Sequence, residues 1–316
     1  MGTLHNLTEP AAPAPAPGEA ASLQSLLAEG VAILIAVIAT PPDGPLDGRP
    51  GPAHAGARLD AEVLLAHVLQ RPRSTLFAHA ERPVGPEAAQ RFRALVARRA
   101  EGVPVAYLTG EREFWSLPLA VGPAVLIPRP ETELVVERTL ALLATARAGP
   151  AATCVADLGT GCGAIALALA SARPSWRITA TDVSAQALQL ACANARRLDL
   201  GRVEFIAGDW FDAVGARCFH AVVSNPPYVA RADISLRALQ HEPAAALTPG
   251  PTGLEALLHL IGRAPMHLLP GAWLVLEHGA DQAREVAAAL VAAGYARVRC
   301  HRDLAGRDRV TEAQWP

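Results

Sequence analysis

No lysine occurs among the 316 residues, so all 28 basic side chains are arginine. A Schiff-base lysine and a phosphate-binding P-loop lysine are both excluded. Aromatics make up 4% of a chain that is 51% hydrophobic, so the core must be built mostly from Ala, Leu and Val. The few cysteines, Cys154, Cys162, Cys192, Cys218 and Cys300, are odd in number and widely spaced, with no C-x-x-C pair. That argues against a disulfide scaffold or a structural zinc site and fits a reducing cytoplasm. Long apolar runs are missing too: Val31–Ala39 is too short to span a bilayer. No arginine precedes Arg49, so no positively charged leader flanks that run. The formal charge of −2 gives no global electrostatic reason to expect nucleic acid.

What is present falls into segments. Residues 1–20 end in alternating Ala and Pro and read as a disordered tail. Residues 21–106 read as a small helical domain, interrupted by a Pro/Gly-rich flexible loop at 40–57. Leu59, Val63, Leu64 and Val68 mark one helix face there. A second helix starts at Pro86 and runs through Phe92, Leu95 and Val96. Residues 107–130 are a linker, with a β-hairpin or extended stretch expected over 113–128, and helical spacing resumes from Glu131 to about Arg147. From 152 onward "TCVADLG", "RITATD", "RVEFIAGD", "HAVVSN" and "AWLVLEHG" are short apolar runs, mostly with helical stretches between them. This alternation predicts an α/β fold, a doubly wound parallel sheet covered on both faces. "ARVRCHRDLAGRDRV" supplies two last strands joined at Gly306.

Gly159, Gly161 and Gly163 stand between the first strand and its helix in "VADLGTGCGAIALALA". Glycines there let a ligand approach the backbone, and the helix N-terminus offers free N–H groups. Asp182 closes the second strand, where a carboxylate can bind ribose hydroxyls. A ribose-containing cofactor follows, with NAD and S-adenosylmethionine as the choices. Asp157, just before the loop, would repel a pyrophosphate but could accept from an ammonium. Asp209 and Trp210 end the third strand with groups suited to the amino group and ring face of adenine. Cys162 lies within the loop, with no histidine near it in sequence to activate it, and reads as a space-filling residue.

The fourth strand runs into Asn225-Pro226-Pro227-Tyr228. Two prolines cannot continue a central strand, because neither donates to the ladder. The chain leaves the sheet stiffly, at the edge where substrates bind. The lone pair of a planar NH₂ is delocalised, so such a nitrogen is a poor nucleophile. The Asn225 side-chain oxygen and the Pro226 carbonyl can each accept one of its N–H groups. That aligns the nitrogen with a sulfonium methyl and favours the charge growing on it. Tyr228 can lie against the flat group, which is an amide or an amino-substituted base.

"DLGTGCG" with "SNPPY" resembles the amino methyltransferases of the class I S-adenosylmethionine-dependent fold. With "RLDAEVLLAHVL" (58–69), "YLTGEREFWSLPLAVGPAVLIPRPETE" (107–133), "LEHG" (276–279) and "RDLAGRDRV" (302–310), residues 57–310 resemble the release factor glutamine methyltransferases, the PrmC/HemK family. The resemblance implies a Rossmann-like methyltransferase sheet over 131–316, mostly parallel with an antiparallel last strand. It also implies the small N-terminal helical domain and the β-hairpin linker. The implied reaction moves a methyl from S-adenosyl-L-methionine, leaving S-adenosyl-L-homocysteine, to the side-chain amide of the glutamine in the Gly-Gly-Gln motif of peptide chain release factors.

By that resemblance Gly159, Thr160, Gly161, Cys162 and Gly163 contact the cofactor, with Asp182 on its ribose and Trp210 near its adenine. Asn225, Pro226, Pro227 and Tyr228 hold the glutamine amide, and Phe114 walls the pocket or fills the hairpin core. Arg129 and Glu131 are pocket-rim or salt-bridge residues. Glu277 is a further candidate at the same edge, while His241 and His278 are weaker candidates, since a methylated amide sheds its proton without a strong base. A monomeric, cytoplasmic enzyme acting on release factors follows, with no metal, membrane or stable nucleic-acid partner. The Pro/Gly-rich stretch at 40–57 departs from the family's short charged turn.

Three rivals remain. A nucleic-acid adenine or cytosine methyltransferase needs an electropositive face and a base-recognition region. A cofactor-fold binding module would not need Asn225 and the glycines. An NAD dehydrogenase has no use for "SNPPY".

Overall fold

Residues 21–38, 52–144 and 153–316 are described by a computed structural model, in which the chain divides into two units after Thr109. The first unit is helical: α1 (Leu23–Ile38), α2 (Pro52–Leu69), α3 (Ser74–Ala78), α4 (Pro86–Ala100) and α5 (Val105–Thr109). Leu26, Leu64, Leu65, Phe92 and Val96 form its buried centre. α1 and α4 meet closely because Gly30 has no side chain; a Cβ there would sit 2.6 Å from Phe92 Cζ. Glu62 is buried yet ionised. Burial opposes its charge, but the Arg73 and Arg58 guanidiniums outweigh that and hold the carboxyl below its ordinary range.

Two expectations for this unit need correction. The flexible loop expected over 40–57 does not reach 57, because α2 begins at Pro52. Proline suits a first helical turn, and Ala53, Ala55 and Ala57 are strong helix formers. The rest of that loop and the tail at 1–20 lie outside the described residues. The buried face of α2 also differs: Leu59 is 45% exposed, while Ala57, Ala61, Leu64 and Leu65 are buried. Close helix contact selects the small alanines, which a reading weighted to Leu and Val passes over.

The second unit opens with β1 (Glu111–Phe114) and β2 (Leu117–Ala120), an antiparallel hairpin tighter than the expected 113–128. Its two-residue turn puts Trp115 and Ser116 at φ 53° and 59°, the left-handed pair that matches strand twist. Trp115 N–H donates to Glu133 Oε1 at 2.8 Å, which secures the turn. A 3-10 turn at Pro130–Thr132 leads into α6 (Glu133–Ala144).

Then come β3 (Cys154–Leu158), α7 (Ala164–Ala172), β4 (Arg177–Asp182), α8 (Ala185–Arg197), β5 (Glu204–Ala207) and β6 (Phe219–Ser224). They are followed by α9 (Glu255–Arg263), β7 (Leu268–Glu277), α10 (Ala283–Ala292), β8 (Ala296–Arg302) and β9 (Asp308–Gln314). The seven strands lie in the order β5-β4-β3-β6-β7-β9-β8. β3 to β7 pair in parallel, and β9 runs antiparallel to both β7 and β8. Ala156, Leu158, Val222, Leu274 and Leu276 on the central strands are fully buried, as strands covered on both faces require. The order reverses between β3 and β6, so a crevice opens beyond their carboxyl ends.

Candidate active site

The glycine loop fills one side of that crevice. Gly159 and Thr160 N–H groups both donate to Thr181 O at 2.9 Å, folding the loop against the end of β4. Gly159 has φ 74°, and a Cβ there would lie 3.1 Å from Trp210 Cζ3. The indole therefore approaches the loop where only glycine leaves room. Gly163, at φ 90°, starts α7 with Leu167 Cδ1 3.0 Å from where its Cβ would be. Asp182 accepts from Gly161 N–H at 2.8 Å through Oδ2 and from Ser184 N–H at 2.9 Å through Oδ1. Each oxygen keeps a second lone pair.

Asp157 lies fully buried behind the loop and is not part of the cavity wall. Its Oδ2 accepts from Thr160 Oγ1 at 2.6 Å and Ala166 N–H at 3.1 Å, while Oδ1 has no partner. Burial pushes this carboxyl up to about 7 against those two bonds, and the Asp182 charge adds to the rise. Cys162 is also buried, and burial pushes its thiol up to about 12. That thiol is no nucleophile.

The loop, Asp182, Asp209, Trp210, Asn225 and Pro227 line a cavity of about 410 Å³, bounded on its other sides by 123–126, Pro128, Thr132, Pro243, Ala245 and Ala246. Its charged wall residues are Asp182 and Asp209, both acidic, with no arginine or histidine among them. A pyrophosphate would meet like charge here, whereas a nucleoside bearing sulfonium and ammonium groups meets opposite charge. Ribose acceptors at Asp182, a ring at Trp210 and an open glycine loop fit S-adenosylmethionine in size and chemistry.

Across the crevice, Ser224 Oγ donates to Leu158 O at 2.6 Å and ties β6 to β3 where both strands end. Asn225 follows, and its Nδ2 donates to Thr132 Oγ1 at 3.1 Å. Of the four residues in "NPPY", Asn225 and Pro227 reach the cavity wall. Pro226 is buried and Tyr228 half-buried, its hydroxyl donating to Glu277 Oε1 at 3.1 Å. Phe114 is buried inside the second unit, outside the wall of this cavity.

Other residues prove structural. Arg129 pairs with buried Glu242, which also accepts from Ile127 N–H at 3.0 Å. This bonding anchors the stretch around 127–129 beside Pro243, and both neighbourhoods wall the cavity. Glu131 pairs with Arg307 at 3.2 Å. His278 is buried, bonded to Thr311 Oγ1 at 2.7 Å and to Gly279 O at 2.8 Å, and burial pushes its imidazole downward. A neutral, fully engaged ring is a packing element. His241 is half-buried and outside the cavity wall.

Three residues that sequence reasoning passed over hold the site together: Thr132, Glu242 and Asn194. Asn194 is buried on α8 and bonds Ala120 through both amide atoms, at 2.7 and 3.0 Å, and Cys162 O at 2.9 Å. It joins the hairpin to the glycine loop.

Family models match twice: PrmC N-terminal domain at residues 53–110 and Methyltransferase small domain at 136–250. A release factor glutamine methyltransferase of Xylella fastidiosa is 48% identical over 82% of this chain and 94% of its own. One from Pseudomonas aeruginosa is 48% identical over 84% and 95%. The chain belongs to the release factor glutamine methyltransferase family. Among solved structures, the hMettl16 catalytic domain in complex with a 3'UTR hairpin has a TM-score of 0.51. It is 17% identical and covers 70% of this chain and 81% of its own, a likeness of fold alone. The resemblance stated from "SNPPY" and "IPRPETE" is thus established across most of the chain, as is the Rossmann-like α/β sheet with its hairpin.

Proposed function

We propose that this member of the family methylates the side-chain amide nitrogen, N5, of the glutamine in the Gly-Gly-Gln motif of peptide chain release factors. One observation carries the reading: Asn225, its Nδ2 anchored on Thr132, stands at the wall of a cavity whose charged residues are all acidic. The glycine loop, Asp182, Asp209 and Trp210 would hold S-adenosylmethionine, which supplies an electrophilic methyl on a sulfonium.

With Nδ2 committed to Thr132, Asn225 has Oδ1 left to accept an N–H of the incoming amide. The Pro226 carbonyl accepts the other. Two acceptors on one NH₂ fix its plane and favour the cationic nitrogen that develops during transfer. The stiff Pro-Pro exit keeps those acceptors in place. Release of the extra proton needs no strong base, in keeping with His278 being neutral and engaged elsewhere. Phe114 supports the hairpin, and Asp157 supports the loop from behind. The enzyme works as a cytoplasmic monomer on a protein substrate, without stable binding to nucleic acid. No helix among the described residues is long and apolar enough to cross a membrane.

Purified protein with radiolabelled S-adenosylmethionine, a bacterial release factor and unmethylated duplex DNA tests this. Label should enter the release factor and not its Gln-to-Ala control at the Gly-Gly-Gln motif. Label in DNA alone would overturn the substrate assignment.

A further inference from the structure

One fully buried amide touches two walls of the cofactor cavity from behind. Asn194 of α8 accepts from Ala120 N–H through Oδ1 at 2.7 Å. Its Nδ2 donates to Ala120 O at 3.0 Å and to Cys162 O at 2.9 Å. Turned over, the amide would set donor against donor and its oxygen against two carbonyls, so only one orientation bonds. Toward the hairpin it behaves as a neighbouring strand would, exchanging both bonds with a single residue.

The cavity explains what those bonds control. Pro123, Ala124, Val125 and Leu126 follow Ala120 out of β2 and line one side, and Cys162 lies in the loop that lines another. Gln186 and Ala187 in the first turn of α8 line it as well. One turn before Asn194, Ala191 lies so near the loop that a Cβ on Gly163 would come within 3.3 Å of its own. The small Ala191 lets α8 lie close to the loop, and Asn194 then ties the loop to the hairpin.

We propose that Asn194 fixes the glycine loop relative to the 123–126 wall and thereby sets how tightly the cavity holds S-adenosylmethionine. Asn194 is a positioning residue, since its side chain is absent from the cavity wall. The inference rests on the cofactor reading proposed above. Arg197, on the same helix, supplies the control. It donates to Glu111 Oε2 at 2.9 Å and to Pro118 O, both on the hairpin. It therefore holds the hairpin without holding the loop.

Titration calorimetry with S-adenosylhomocysteine, run well below each melting temperature, compares wild type, Asn194→Asp, Asn194→Ala and Arg197→Ala. Aspartate has the same size but cannot donate to either carbonyl. Both Asn194 variants should bind about tenfold or more weaker. Their KM for S-adenosylmethionine should rise while kcat at saturating cofactor stays within a few-fold. Arg197→Ala should bind within about twofold of wild type. A folded Asn194 variant with wild-type affinity, or an equal loss in Arg197→Ala, overturns the proposal.

If neither Asn194 variant folds, hydrogen exchange in wild type decides. A bond that strengthens cofactor binding is strengthened by the cofactor in return. Ala120 lies outside the cavity wall. Its N–H exchange should slow on adding S-adenosylhomocysteine more than that of Val121 N–H, which bonds Gly110 O at 3.0 Å. Equal slowing overturns the role of Asn194. A wild type that binds cofactor but leaves release factors unlabelled sinks only the substrate reading.

Discussion

Asn225 and Thr132, 93 residues apart in the chain, meet at 3.1 Å with the amide donating to the hydroxyl. With Nδ2 engaged on Thr132, Oδ1 is the end of the Asn225 amide left to accept. Thr132→Val keeps the shape of the side chain but removes the acceptor. We expect kcat to fall about tenfold or more, with the dissociation constant for S-adenosylmethionine within a few-fold. Paired kinetics and calorimetry check this; unchanged kcat would mean that the bond does not position the amide.

Asn225→Ala removes the acceptor itself. Loss of one preorganised group at a reacting centre costs about 10²–10³ in rate, and that is the expected drop in methyl transfer. Cofactor affinity should hold, because the loop, Asp182 and Trp210 are untouched. A variant that transfers methyl near the wild-type rate would refute the role given to Asn225.

Gly159→Ala acts on the opposite wall. Its φ of 74° strains an L side chain by about 1–2 kcal/mol, and the new methyl would press on the indole at 3.1 Å. Binding of S-adenosylmethionine should weaken about tenfold or more, read by titration calorimetry, with a modest loss in melting temperature. Full-strength binding would show that neither the loop geometry nor the Trp210 contact matters to the cofactor.

Much of this site could be read from the chain because its parts are local. The glycines, Asp182 and the Asn-Pro-Pro-Tyr exit each owe their placement to a strand ending, and strand endings are marked by a few neighbouring residues. What stayed hidden depends on long-range partners. Thr132 lies inside the quoted "IPRPETE", yet only the fold brings it to Asn225. Asn194 sits on an ordinary amphipathic helix, and nothing near it in sequence points to Ala120, 74 residues away. Arg129 stood out by its charge, but Glu242, 113 residues on, reveals that the charge is spent on an ion pair. The α2 face was misjudged for another reason: alanines pack it, and their small apolar surface is a weak signal beside an exposed Leu59.

The last expectation concerns Asp157. Its carboxyl ordinarily titrates near 3.8 and is raised to about 7 in the folded protein. A raised acid binds its proton more tightly when folded, so its stabilising effect is complete below about 3.8. That effect is lost as pH rises toward 7, and above 7 it changes no further. Asp157→Asn cannot titrate. The melting temperature of wild type minus that of the variant, without cofactor, should therefore fall between about pH 4 and pH 7 and level off above. Subtracting the variant cancels the opposing trend from Glu62 and Asp303, whose carboxyls lie below their ordinary range. A difference that stays flat across this window would mean Asp157 is ionised throughout, with its Oδ1 satisfied by solvent, and the loop would then rest on a charge rather than on a buried acid.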